Sequence, residues 1–200
     1  SKQPLDAIFN GSIDTFIAKL NPVGGGATDL LYSTFVGGDG ADESYDIAID
    51  TGGTVYITGS TTSPSPSISF PTTPGAFDQS NIVSDYKAFV TKLAPLGNGQ
   101  NDLLYSTYLG GTFSDVWRSI AVGENGTIYV VGYAGSSDFP TTPGAYKQTP
   151  NGTGDAFVAK LNPAGNGQND LVYSTYLGGE WGDWADSIAI HSGITGIAYE

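Results

Sequence analysis

The stretch Leu31-Tyr32-Ser33-Thr34-Phe35-Val36-Gly37-Gly38 returns as Leu104-Tyr105-Ser106-Thr107-Tyr108-Leu109-Gly110-Gly111 and again as Val172-Tyr173-Ser174-Thr175-Tyr176-Leu177-Gly178-Gly179, at spacings of 73 and 68 residues. Phe16, Phe89 and Phe157 keep those spacings, and so do Ile47, Ile120 and Ile188. Self-similarity at such a period marks one structural unit repeated, each copy burying its apolar surface against the next. Three copies account for nearly all of the 200 residues. The segment Phe70–Ala76 recurs as Phe139–Ala145, 69 residues on. Only this region changes length between copies, so it reads as a connecting loop.

Each unit contains four strand-like runs, seen in the second as Ile120–Val122, Thr127–Val131, Ala156–Leu161 and Leu171–Leu177. Turn-forming sequences such as Glu124-Asn125-Gly126 separate them, which predicts one antiparallel four-stranded sheet per unit. Successive side chains of a strand point to opposite faces. In the first unit Leu30, Tyr32, Thr34 and Val36 therefore share one face, and Leu31, Ser33 and Phe35 the other. Both faces carry apolar groups, so each sheet must be covered on both sides, as in a stack of blades.

Composition narrows the function. Twenty acidic against 7 basic side chains give a net charge of -13, which argues against a nucleic-acid partner, since phosphates call for a basic stripe. The absence of cysteine excludes disulfide scaffolds, thiolate zinc sites and cysteine nucleophiles. His191 is the only histidine, so neither a serine–histidine site nor a multi-histidine metal site can be assembled. No apolar run of transmembrane length occurs, and any export signal is expected to lie outside this sequence or to have been removed.

The ordered series Tyr105–Gly111, Ser119–Val122, Gly126–Gly132, Asp138–Ala145 and Asp155–Asn162 resembles the secreted bacterial and archaeal β-propeller repeat abbreviated SBBP. The resemblance implies an all-β fold, a β-propeller-like array of four-stranded antiparallel blades, and exposure at the cell surface. It implies no catalytic residue. It also suggests a blade phase with the Ile-Ala-Val segment innermost and Tyr-Ser-Thr outermost. On that phase the chain is a single repeat domain over 1–200, with units of about 1–46, 47–119, 120–187 and 188–200. It holds three blade equivalents with a split terminal blade: the third and fourth strands come first, and the first and second strands, Ser187–Ile190 and Ile194–Tyr199, come last.

Several residues stand out as candidates. Lys19, Lys92 and Lys160 are each followed ten positions later by Asp29, Asp102 and Asp170, which predicts a repeated ion pair across a hairpin contributing about 0.2–1 kcal/mol each. Acids gather after the Gly-Gly pairs: Asp39, Asp42, Glu43 and Asp46, then Asp115, then Glu180, Asp183 and Asp186. Such oxygen ligands suit calcium; their spacing does not repeat and no calcium-loop signature is present, so they read as solvated turns and no cofactor is expected, with calcium as the alternative. Trp117, Trp181 and Trp184 occupy non-equivalent repeat positions. They serve either as contacts for a glycan or protein partner or as wedges between blades. Asn10, Asn125 and Asn151 open N-glycosylation sequons, although Asn-Gly is also plain turn chemistry.

Two functions fit these features, and neither is enzymatic. In the first, the chain is an extracellular structural protein that self-assembles head-to-tail into a ring, tube or filament by completing a blade between copies. Phe16, Tyr32, Ile188, Ile190, Ile197 and Tyr199 are then the expected interface. In the alternative, the chain is a cell-surface scaffold for glycan or protein ligands, alone or within a longer protein.

Overall fold

The computed structural model describes residues 2–63, 69–80, 86–191 and 194–199, the last six by their backbone alone. Strands β1 (Thr15–Leu20) and β2 (Leu30–Val36) form a two-stranded sheet, I. Sheet II contains β3 (Asp42–Ile49), β4 (Val55–Thr61), β5 (Lys87–Leu93) and β6 (Leu103–Tyr108), hydrogen-bonded in chain order. Sheet III repeats that order with β7 (Asp115–Val122), β8 (Ile128–Ala134), β9 (Asp155–Leu161) and β10 (Leu171–Leu177). The two-stranded sheet IV pairs β11 (Ile188–His191) with β12 (Ile194–Tyr199). All strand pairs are antiparallel. The protein is thus all-β and built on four-stranded antiparallel sheets, as its repeats imply.

The first strands begin earlier than the apolar pattern suggests, at Asp42 and Asp115 rather than at Ile47 and Ile120. A bulge explains why the alternation is hard to read there. The register slips between Ser44 and Asp46 in β3 and between Trp117 and Ser119 in β7, so Tyr45 and Arg118 are the extra residues. Gly59 and Gly132 lie opposite these bulges, where a methyl group would run into the carbonyl oxygens of Glu43 and Val116. A side chain at either position would push the bulge apart.

The core sits between sheets. Every residue of β4 is buried, as is every residue of β5 except Lys92, because sheet II is covered on both faces. Between sheets II and III, Tyr56, Ala88 and Val90 pack with Trp117, Ile128 and Phe157. Ile17, Tyr32 and Val36 of sheet I pack on Val55, Ile57 and Phe89 of sheet II. Val131, Ala156 and Val158 of sheet III meet Ala185 and Ile188. Each large side chain buried in these joins is worth about 1.5–3 kcal/mol. The joins are therefore the main source of stability.

The phenylalanine that opens the repeat is the centre of each complete join. Phe89 lies 4.2 Å from Phe70, and Phe157 lies 4.5 Å from Phe139 and 5.7 Å from Trp117, centroid to centroid. Among the described residues, no helix is long and apolar enough to cross a membrane.

Candidate functional site

The repeat makes it possible to ask what happens to equivalent residues where a neighbouring sheet is missing. Phe89 and Phe157 are 0% exposed, but Phe16 is 68% exposed. Leu93 and Leu161 are 0% exposed, and their counterpart Leu20 is 62% exposed. Ile120 and Ile188 are buried, whereas Ile47 stands 54% exposed at the place where sheet I lacks a first and a second strand. One end of the molecule therefore presents an apolar face made of residues that are core elsewhere in the same chain.

The other end carries the reverse feature. Phe77 of the first connector is buried, while its counterpart Tyr146 is 81% exposed. Beside it an open cavity of about 560 Å³ is lined by Tyr146, Ala156, Leu177, Gly178, Asp183, Trp184 and Ala185. Four of these residues are repeat counterparts of Phe77, Ala88, Leu109 and Trp117, which enclose Phe139 and Phe157 between sheets II and III.

The edges match the faces. In sheet II the second and third strands pair from Val55↔Leu93 to Thr61↔Lys87, and in sheet III from Ile128↔Leu161 to Ala134↔Asp155. Strand β1, a third strand, pairs only with β2, and β12, a second strand, only with β11. Each leaves one row of backbone donors and acceptors without a strand partner among the described residues.

Of the acids after the Gly-Gly pairs, Asp39, Glu180 and Asp186 are exposed as solvated turns would be, but Asp42 and Asp115 correct that expectation. Asp42 and Asp115 are fully buried. Asp42 accepts hydrogen bonds from the Gly38 N–H at 2.7 Å and the Ser63 hydroxyl at 2.9 Å. Asp115 accepts from the Gly111 N–H at 2.7 Å and the Ser136 hydroxyl at 2.8 Å. Both carboxylates staple the start of a first strand to the connector that follows the second strand. Burial pushes both carboxyls above the usual carboxylate range, against the pull of these hydrogen bonds. Such a group binds its proton earlier in the folded than in the unfolded chain, so by linkage it makes the fold more stable as pH falls through its raised value. Urea melts at pH 7 and pH 4.5 should therefore show wild type gaining stability relative to Asp115→Asn on acidification. Parallel changes in the two proteins would rule out a raised Asp115.

The expected lysine–aspartate hairpin pairs do not form. Lys19, Lys92 and Lys160 lie opposite Tyr32, Tyr105 and Tyr173, and Lys92 and Lys160 sit over the rings of Tyr56 and Tyr129 at 5.4 Å. The aspartates fold back on their own hairpins: Asp102 accepts the Gly97 N–H at 2.8 Å, Asp170 the Asn166 N–H at 3.0 Å, and Asp29 the Gly25 N–H at 3.0 Å. A short 3-10 turn ending in each aspartate aims its carboxylate at loop amides instead of across the strands. The ion pairs among the described residues are two that the sequence pattern did not flag. Lys147 Nζ meets Asp155 Oδ2 at 2.6 Å, and Lys87 Nζ meets Asp78 Oδ2 at 2.7 Å.

The remaining candidates divide by exposure. Trp117 is 0% exposed in the join of sheets II and III, which settles it as a wedge and removes it as a partner contact. Trp181 and Trp184 are exposed, and Trp184 stacks on Tyr133 at 4.2 Å. Tyr32 and Ile188 are buried within the chain's own joins rather than at a free face, because each sits on the side of its strand that a neighbouring sheet already covers. Ile190 is half-buried, and the side chains of Ile197 and Tyr199 lie outside the described residues. Asn125 and Asn151 are exposed, while Asn10 is half-buried and donates to Asp6 at 2.9 Å. No group of three or more acids and histidines among the described residues is placed to hold a metal ion.

No curated protein matches the chain. A family model does: SBBP, a beta-propeller repeat, over residues 104–140. The match runs from the last strand of sheet II through the first two strands of sheet III to the connector at Phe139, the join that Trp117 and Ile128 help to build. Over residues 104–140 this chain is thus similar to the SBBP beta-propeller repeat.

Proposed function

We propose that this protein is an extracellular structural protein that assembles head-to-tail, with sheet IV of one copy and sheet I of the next joining into one four-stranded blade. The observation that carries this reading is the pair of complementary open edges on β1 and β12. Pairing them satisfies two rows of backbone groups and recreates the second-to-third strand contact of sheets II and III. The same step lays first and second strands over Ile47 of the receiving copy. An extracellular setting accords with the repeat, which is typical of secreted proteins. This reading assigns the chain no catalytic role.

A head-to-tail contact either closes a ring or propagates a filament. Two copies supply six blade equivalents, within the usual range of about four to eight for closed propellers. Sedimentation velocity over a wide concentration range tests the proposal. The full chain should form dimers or larger species, and deletion of Ile194–Tyr199 should leave a folded monomer. A full chain that stays monomeric at millimolar concentration would refute it.

The exposed Trp181 and Trp184 favour a second reading, a scaffold that stacks these rings on a glycan or protein ligand. A monomer that retains a soluble glycan, with loss of binding in Trp181→Ala, is the result that would select it.

A further inference from the structure

We infer that the open cavity of sheet III is the seat of Phe16 from a second copy of this chain; this rests on the head-to-tail reading and specifies its central contact. The internal joins provide the template. Phe157, the repeat counterpart of Phe16, is enclosed between sheets II and III together with Phe77, Ala88, Leu109 and Trp117. The counterparts of those four, Tyr146, Ala156, Leu177 and Ala185, line the cavity. Receptor and insert are thus both present in one chain, at opposite ends, and both are open.

The free end carries a second exposed ring, although at a different place in the connector from the rings that accompany Phe89 and Phe157. Phe70 lies 6.1 Å from Tyr108, and Phe139 lies 5.9 Å from Tyr176. Phe9 lies 6.1 Å from Phe35, which is equivalent to those tyrosines. Phe70 and Phe139 are buried, but Phe9 is 54% exposed. Phe9 and Phe16 are thus both exposed rings at the free end, linked through Phe35, which pairs with Phe16 across the hairpin. Ala185 lines the cavity where the join of sheets II and III has the larger side chain of Trp117.

Polar contacts of the internal joins extend to the same interface. The Gly99 N–H donates to the Gln3 carbonyl at 3.1 Å, and the Gly167 N–H to the Gly75 carbonyl at 2.7 Å. The next pair in the series is the Gly26 N–H of one copy and the Gly144 carbonyl of the other, and a methyl group at either glycine meets nothing within 4 Å. In the same way Asp102 acts on Tyr32 and Asp170 on Tyr105, and Asp29 and Tyr173 follow. One contact has no successor. Gln100 donates to the Leu5 carbonyl at 2.7 Å and Gln168 to the Phe77 carbonyl at 2.9 Å, but Ala27 occupies that position at the free end. The contact between copies is accordingly weaker than the internal joins and more dependent on its aromatic insert.

The absence of native cysteine allows a direct test. Phe16→Cys and Ala156→Cys are placed in separate copies, one isotopically heavy, mixed and oxidised, with Phe16→Cys plus Ser80→Cys as the control mixture. A disulfide-linked heavy–light dimer in the first mixture alone is expected. In sedimentation, Phe16→Ala should weaken association by about 30-fold or more, as for an interface anchor, with no loss of fold. If the wild type assembles but the crosslink does not exceed the control and Phe16→Ala assembles equally well, the seat is wrong and edge pairing stands. If the wild type is monomeric at every concentration, both the seat and the head-to-tail reading fall.

Discussion

Phe157→Ala should cost about 3–5 kcal/mol of folding stability, while Phe16→Ala, at the same repeat position, should change the stability of the dilute monomer by less than about 0.5 kcal/mol. The difference is entirely one of surroundings. Phe157 is 0% exposed against Phe139 and Trp117, and a well-packed site that loses a ring keeps most of the void because its walls relax only partly. Phe16 is 68% exposed, so little contact is lost. Urea denaturation at nanomolar concentration measures both. Comparable losses at the two positions would mean that Phe16 is covered within a single chain.

A second large effect is expected at the ion pair that fixes the start of β9. Lys147→Met should cost about 3–5 kcal/mol, because it leaves the fully buried Asp155 carboxyl without its cationic partner. Its other oxygen, Oδ1, already has no hydrogen-bond partner, so the desolvation of this carboxylate is offset largely by Lys147 and the Asn151 N–H. The double variant Lys147→Met/Asp155→Leu should recover much of the loss, since an apolar pair removes the stranded carboxyl. Guanidinium melts of the three proteins decide the matter. A single variant within about 1 kcal/mol of wild type would show that water reaches Asp155.

Much of this architecture was legible because the sequence repeats. The positions of Phe16, Phe89 and Phe157 and of the Tyr-Ser-Thr strands placed the third and fourth strands of sheets I, II and III, and the open ends followed from the phase. The reading ran out where charge and burial coincide. Asp42 and Asp115 look like turn residues until Ser63 and Ser136 are seen to reach back to them from a connector 21 residues away. The ten-residue offset of Lys92 and Asp102 was a real regularity with another cause: the lysine follows the strand alternation onto a tyrosine, and the aspartate caps its own loop. The signal that was available and unused lies at the strand starts, where aligning the units sets Asp14, Lys87 and Asp155 at one position.

That alignment bears on how three similar units find their own partners. The connector residue that meets the strand start is equivalent in each unit: the N–H groups of Asp6, Asp78 and Lys147 donate to Thr34, Thr107 and Thr175 at 2.9, 2.9 and 2.8 Å. Yet sheet II uses an aspartate in the connector and a lysine on the strand, and sheet III uses the opposite order. If β5 and β9 were exchanged during folding, Lys87 would meet Lys147 and Asp155 would meet Asp78, burying like charges in both sheets. Reversed polarity thus works as an address label, penalising both wrong pairings among strands whose apolar patterns are too alike to tell apart.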